Sequence, residues 1–246
     1  MSRRTERRRA ARYGAARYGA VALLALAALL PAWSAGPAAV EDSIAQRMQA
    51  CTVCHGKEGR ATPDGYFPRI AGKPAGYLYN QLVNFRDGRR RYAPMAYLVE
   101  HLSDAYLHEI ASHFATLDLP YAPPPAAPVP AATLALGERL ARQGDAARRL
   151  PACTRCHGER LAGAEPAIPG LVGLPRDYLL AQIGAWRSGE RRAAAPDCMA
   201  GIVQRLQPHE IAALASWLAV QPPPAAGAPK EQARAPLPID CGSGLQ

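Results

Sequence analysis

Long apolar runs are scarce in this 246-residue chain. The run from Ala20 to Leu30 is short of the roughly 17–25 residues that a transmembrane helix needs. No stretch alternates apolar and polar residues convincingly, which counts against an all-β or α/β architecture. Sulfur is rationed too, with four Met and six Cys in all. Lasting cationic excess is also missing. The chain holds 29 Lys and Arg against 20 Asp and Glu, a net charge of +9. Arg3, Arg4, Arg7, Arg8, Arg9, Arg12 and Arg17, however, all precede the apolar run. Basic residues, an apolar stretch and then small residues ("PAWSAGPAA") form the order of a secretory signal. Without those seven Arg and Glu6, 22 basic residues face 19 acidic ones, a net charge of +3. That balance removes the case for nucleic-acid binding. We therefore expect a signal over residues 1–35 and a periplasmic protein, an uncleaved anchor being the alternative. In that compartment thiols are oxidised, capped or metal-bound.

Four of the six cysteines occur in two near copies of one motif, "CTVCHG" at 51–56 and "CTRCHG" at 153–158. On a helical turn, residues three and four apart share a face, so Cys51, Cys54 and His55 can all meet one flat object. C-x-x-C-H reads as covalent haem attachment, two thioethers and one imidazole on iron. A thioredoxin-like pair expects a βαβ setting and does not require the His. A zinc ribbon pairs its knuckles over roughly 15–20 residues, whereas these motifs lie about a hundred apart and each carries its own His. The cofactor reading is two covalently bound haem c groups, on Cys51, Cys54 and His55, and on Cys153, Cys156 and His157.

The motif belongs to a longer repeat. "FPRIAG" (67–72) answers "IPGLVG" (168–173), "YLYNQLVNFRDGRRR" (77–91) answers "YLLAQIGAWRSGERR" (178–192), and the 20 residues from Met95 answer those from Met199 without a gap. Repeats at such a period indicate a duplicated structural unit. Leu78, Leu82 and Phe85 fall at i, i+4, i+7, as do Leu179, Ile183 and Trp186, the spacing of helices. Ser103 reads as an N-cap and Pro208 as a first-turn proline. The expected fold class is all-α, in two units at 42–120 and 132–221. The Pro-rich segment 121–131 reads as a semi-stiff linker over the outside, and 222–246 as a Pro/Ala-rich tail. Units of about eighty residues bury little core unaided, and a fixed haem supplies apolar surface. We expect the units to pack with their haem edges close.

The far side of each iron decides between electron transfer and ligand binding. Met48 sits at helical spacing before the first motif and reads as core. Met95 and Met199 occupy equivalent places in the repeat and are the candidate distal ligands, since a Met/His pair raises the potential. His101 is the rival at the first haem and Cys198 at the second. His108, His113 and His209 have no His at the matching positions of the other unit.

The order of signal, C-x-x-C-H, "P-x-x-x-G", "Y-x-x-x-Q", Gly/Arg loop, Met and terminal helix, then all of it again, resembles the dihaem cytochrome c4 family over roughly residues 42–221. The resemblance implies two class I cytochrome c folds packed haem to haem, acting as a periplasmic shuttle or a membrane-associated donor to terminal oxidases. It implies thioethers on Cys51, Cys54, Cys153 and Cys156, iron ligation by His55, Met95, His157 and Met199, and orientation of the His rings by the backbone at Pro68 and Pro169. Two departures stand out: three residues inserted before Met199, and a tail bearing Cys241. Cys198 and Cys241, the even remainder in an exported chain, invite a disulfide.

The expected function is respiratory electron transfer without substrate chemistry. Its partners are redox proteins such as an oxidase, a dehydrogenase or a quinol–cytochrome c reductase, with peripheral membrane association as an alternative. The rivals are a small dihaem enzyme, such as a thiosulfate-type dehydrogenase using a free Cys198, and a cytochrome subunit of a dehydrogenase complex. The Arg89–Arg91 and Arg191–Arg192 clusters read either as solvated charge or as partners of haem propionates and of acidic proteins.

Overall fold

Apart from the two helices that carry the C-x-x-C-H motifs, the helices in both halves start where the sequence supplies a cap or a proline. The computed structural model describes residues 41–124 and 128–244. The expected signal over 1–35 lies outside the described residues. In the first half, α1 (Ile44–Arg47) is capped by the Ser43 hydroxyl, which accepts from Gln46 N–H, and α2 (Gln49–His55) carries the first motif. Pro74 opens α3 (Ala75–Arg86), a proline lies in the first turn of α4 (Ala93–Val99), and Ser103 caps α5 (Asp104–Ala115). Pro fits a first turn because its fixed φ is helical and its missing N–H has no helical partner there.

The second half follows the same order. Pro130 precedes α6 (Ala131–Gln143), α7 (Thr154–His157) carries the second motif, and Pro175 precedes α8 (Arg176–Ser188). Asp197 caps α9 (Cys198–Val203), and α10 (Pro208–Ala219) opens with a capping box between Gln207 and Glu210. Each half has its own apolar core. Met48, Leu78, Phe85, Leu107, Ile110 and Phe114 form one, and Leu140, Leu161, Leu179, Leu214, Trp217 and Leu218 the other. Helices α6 and α10 cross tightly at Gly137, where an added Cβ would stand 2.4 Å from Ala213 O. Among the described residues no helix is long and apolar enough to cross a membrane.

Strands, not expected from the sequence, are present in three short pieces. β1 (Gly163–Glu165) pairs antiparallel with β2 (Ile168–Pro169) and parallel with β3 (Glu231–Gln232), in the order β2-β1-β3. Two or three residues are too few for period-two alternation to register.

One ion-pair cluster ties the start of α10 to the loop before α7. Arg148 donates to both carboxylate oxygens of Glu210, at 2.7 and 2.8 Å, and to Asp145 at 2.9 Å. These bonds hold the Glu210 and Asp145 carboxyls below the usual carboxylate range. A carboxyl lowered in the fold stabilises it at neutral pH, and that contribution disappears as pH falls through the folded-state titration. Replacing Arg148 by Gln is therefore expected to lower Tm at pH 7 and to flatten the acid limb of a Tm–pH curve. Unchanged acid sensitivity in that variant would place the linkage elsewhere.

Candidate functional site

Both motif histidines are turned the same way and for the same reason. Each sits in the last turn of its helix and is followed by a glycine with positive φ, +75° at Gly56 and +84° at Gly158. A Cβ at Gly56 would lie 2.2 Å from Ala61 O, so the chain turns there only without a side chain. His55 Nδ1 lies 2.9 Å from Pro68 O and His157 Nδ1 lies 2.7 Å from Pro169 O. A carbonyl only accepts, so Nδ1 carries the proton and Nε2 is left as the lone-pair nitrogen. Both rings are buried, at 8% and 7% exposure. Burial pushes both imidazoles below their ordinary pKa, favouring the neutral form that ligates metal.

In the second half, Cys153, Cys156, His157 and Met199 all line one cavity, whose walls are mostly apolar and include Leu179, Ile183 and Leu214. Burial pushes the Cys153 thiol up to about 11. In the first half, Cys51 and Met95 pack on the core around Leu78 and Phe85, together with Tyr92 and Leu82. Met48 is buried in that core and its sulfur lies 3.9 Å from Cys51 Sγ.

The rival ligands are either turned away from the site or, for Cys198 on the wall of the second cavity, already bonded. The His101 side chain is 90% exposed, beside Glu100, and His108 stacks on Tyr79 with ring centroids 3.7 Å apart. Cys198 is joined to Cys241 by a disulfide, with Cα atoms 4.9 Å apart across 43 residues. The inserted residues before Met199 are ordered by Asp197, whose carboxylate accepts from Ala193 N–H (2.7 Å) and Ala200 N–H (3.0 Å).

The Arg clusters divide into solvated charge and a cross-unit junction. Arg90 donates to Gln81 of its own half (2.9 Å) and to Gln182 of the other (2.6 Å). Arg191 does the reverse, donating to Gln182 (2.8 Å) and Gln81 (3.1 Å). Arg90 approaches Tyr178 Oη and Arg191 approaches Tyr77 Oη, each at 3.4 Å. The guanidinium of Arg90 lies over Phe85 and that of Arg191 over Trp186, at 4.6 and 3.8 Å. Two backbone bonds, Arg91 N–H to Glu190 O and Arg192 N–H to Arg89 O, complete the seam. Tyr77, Gln81, Gln182 and Arg191 also line the second cavity, so the junction between the halves forms one end of that site.

Whether haem fits can be judged from the donors left over. Among the described residues, Trp186 Nε1 is buried with no acceptor, and Trp186 lines the second cavity. Arg191 is 5% exposed and forms no ion pair with a described carboxylate. A buried indole N–H and a buried cation are costly unless answered, and a macrocycle with an apolar body and a carboxylate edge answers both. The thiols, the oriented imidazole and the apolar walls suit the rest of it.

Sequence reasoning missed the exchange of Arg90 and Arg191 across the junction, the Trp186 donor, and the tail residues Leu237, Ile239 and Ser243, which line the second cavity. Signals for the first and last were present. Y-x-x-x-Q recurs at 77–81 and 178–182, placing two polar groups on one face of each of two matched helices. The tail reads L-P-I-D-C over 237–241, apolar at every second residue.

No protein-family model matches the sequence. The chain is 40% identical over 174 residues to the thiosulfate dehydrogenase electron acceptor of Thiomonas intermedia, covering 70% of this chain and 79% of that one. It is 34% identical over 191 residues to cytochrome c4 of Pseudomonas aeruginosa, covering 76% and 90%. Among solved structures, reduced cytochrome c4 from Pseudomonas stutzeri aligns with a TM-score of 0.60 at 29% identity, over 71% of this chain and 95% of that one. A thiosulfate dehydrogenase from Marichromatium purpuratum aligns with a TM-score of 0.59 at 35% identity, over 70% of this chain, which spans only 36% of that protein. By sequence and by fold the chain belongs to the dihaem cytochrome c4 family, an all-α pair of class I cytochrome c domains with two covalently bound haem c groups.

Proposed function

We propose that this protein is a periplasmic two-electron reservoir, not an enzyme, that accepts electrons from a dehydrogenase of thiosulfate. The observation that carries the carrier reading is the meeting of both motif thiols, His157 and Met199 on one apolar cavity, with the same residues repeated in the first half. In this reading Cys51, Cys54, Cys153 and Cys156 would hold the thioethers, and His55 with Met95 and His157 with Met199 would ligate the irons. The units extend over 42–120 and 132–221. Bound haem supplies a one-electron iron couple in each half. The protein's own task is to keep both couples closed to small molecules and raised in potential. Pro68 and Pro169 fix the imidazole protons on Nδ1, the methionines would supply the second ligand to each iron, and Trp186, Arg90 and Arg191 would meet the haem carboxylates.

The partner reading rests on relatives named thiosulfate dehydrogenase electron acceptor, at 40% and 37% identity. Coupling two thiosulfates through a new S–S bond releases two electrons, which matches two one-electron centres. The disulfide at Cys198 supports a carrier over an enzyme, because it occupies the thiol that sulfur chemistry would need. The test is direct. Oxidised protein mixed with thiosulfate alone should stay oxidised, and addition of a thiosulfate dehydrogenase should reduce both haems. Reduction by thiosulfate alone would make the chain the enzyme. No reduction in either case would redirect the search toward an oxidase or another dehydrogenase as partner.

A further inference from the structure

The tail beyond the second repeat is built into the second site. The Glu231 carboxylate accepts the backbone N–H of Glu159 at 2.9 Å and that of Arg160 at 3.4 Å, just after the second motif. β3 then pairs with β1, and Ala233 N–H donates to Glu165 O at 2.8 Å. From there Leu237, Ile239, Cys241 and Ser243 line the second cavity, while Pro238 and Asp240 between them face solvent. This is the two-sided presentation of an extended chain. The segment is pinned at three points. Cys241 is bonded to Cys198, the neighbour of Met199. Gly242 N–H donates to Pro196 O at 2.9 Å, in the inserted loop. Ser243 O accepts from Asn80 Nδ2 of the first half at 3.2 Å. Gly242 lies so close to Ala195 that a Cβ would stand 2.3 Å from its carbonyl oxygen.

The first half differs. On α4, Tyr97 and Leu98 are 76% and 51% exposed, and Val53 inside the first motif is 81% exposed. Their repeat partners Gly201, Ile202 and Arg155 place no comparable apolar surface in solvent: Ile202 lines the cavity, Gly201 has no side chain and Arg155 is charged.

We propose that Leu237–Gly244 is a fixed outer wall of the second haem site. It excludes water from that haem and restrains the start of α9 and the inserted loop before Met199, so that external reagents reach the first haem far more readily. The two haems are thereby inequivalent although their axial ligands are of the same kind. A drier site disfavours the extra positive charge of ferric iron and raises the potential. The inference deepens the carrier reading and rests on it for the closed axial sets.

The test uses the haem-loaded protein and free imidazole as the external ligand. In the oxidised intact protein, one equivalent should bind at least about tenfold faster than the second. A chain ending at Pro236, with Cys198→Ser, should bind both equivalents at comparable rates and should show one potential lowered and the other unchanged. The double variant Leu237→Ala/Ile239→Ala keeps the disulfide and should move the same rate and potential in the same direction by a smaller amount. That variant decides if the shortened chain fails to fold. Equal imidazole rates in the intact protein would overturn the proposal, as would unchanged rates and potentials in the double variant. The carrier reading fails separately, if the ferrous intact protein binds carbon monoxide at either iron without any substitution.

Discussion

Replacing Met199 by Ala should convert one of two closed irons into an open one and leave the other closed. On the proposed ligation, the ferrous variant binds one equivalent of carbon monoxide where the parent protein binds none. The potential of the altered haem should fall by on the order of 0.1 V or more, within the roughly 0.8 V that axial ligation spans. The other potential should stay within measurement error. Met95→Ala should do the same at the first haem, and the double variant should take up two equivalents. Met199 is half-buried in the first turn of α9, which is tied down by Asp197 and the disulfide. The fold should therefore survive, at a cost near the lower end of the roughly 2–5 kcal/mol typical of Met→Ala in cores. Carbon monoxide binding unchanged by either substitution would remove the methionines from the axial sets and return His101, or another donor, to consideration.

The second large effect is expected at the junction. Arg191 is buried, stacks on Trp186, and donates to Gln81, Gln182 and Tyr77. Two of those three acceptors belong to the first half. Arg191→Gln deletes the charge and shortens the reach. Three hydrogen bonds to a charged donor are lost, at roughly 1 kcal/mol or more apiece, so a stability loss of about 3 kcal/mol is expected, with the acceptors left half-satisfied. Removing a buried cation also eases the ferric state, so the second haem's potential should fall. Arg90→Gln should mirror this at the first haem, where the Arg90 charge already helps to hold the His55 imidazole below its ordinary pKa. A spectroelectrochemical titration reads the potentials and a melting curve reads the stability. A loss of stability with both potentials unchanged would mark these arginines as structural fasteners that do not meet a haem carboxylate.

How much of this was legible beforehand varied with the kind of signal. The C-x-x-C-H motifs could be read directly, because covalent chemistry demands fixed residue types at fixed spacing, and so could the repeat, whose residues align over long stretches; Met95 and Met199 stand at its matched positions as proposed ligands. Ser103 and Pro208 marked helix starts, since capping is local. The arginines were ambiguous. Four consecutive positions "GRRR" give no sign that Arg90 alone turns inward toward Gln182 while Arg89 pairs with Asp87 at the surface. That choice is made by the other half of the molecule. Trp186 looked like core at i+7 from Leu179, and nothing local says that its N–H lacks a protein acceptor. The tail was hidden by its composition. Its prolines suggested a structureless end, and the alternation from Leu237 to Cys241 spans too few residues to stand out without the cavity it faces.

The crossed contacts of Arg90 with Gln182 and of Arg191 with Gln81 have the form of a self-complementary dimer interface, in which i meets j while j's counterpart meets i's. In a true dimer of identical chains, any substitution arises in both partners at once and the two sites stay identical. Here both partners lie in one polypeptide, so a change can occupy one side alone. Phe85 matches Trp186 in the repeat, three residues were added before Met199 and none before Met95, and the tail segment Leu237–Gly244 lines the cavity of the second half. Fusion also makes docking intramolecular, so a seam of a few polar bonds can hold at any dilution. The molecule keeps the geometry of a symmetric pair while giving each half its own chemistry, and this lets an electron tell one end of the protein from the other.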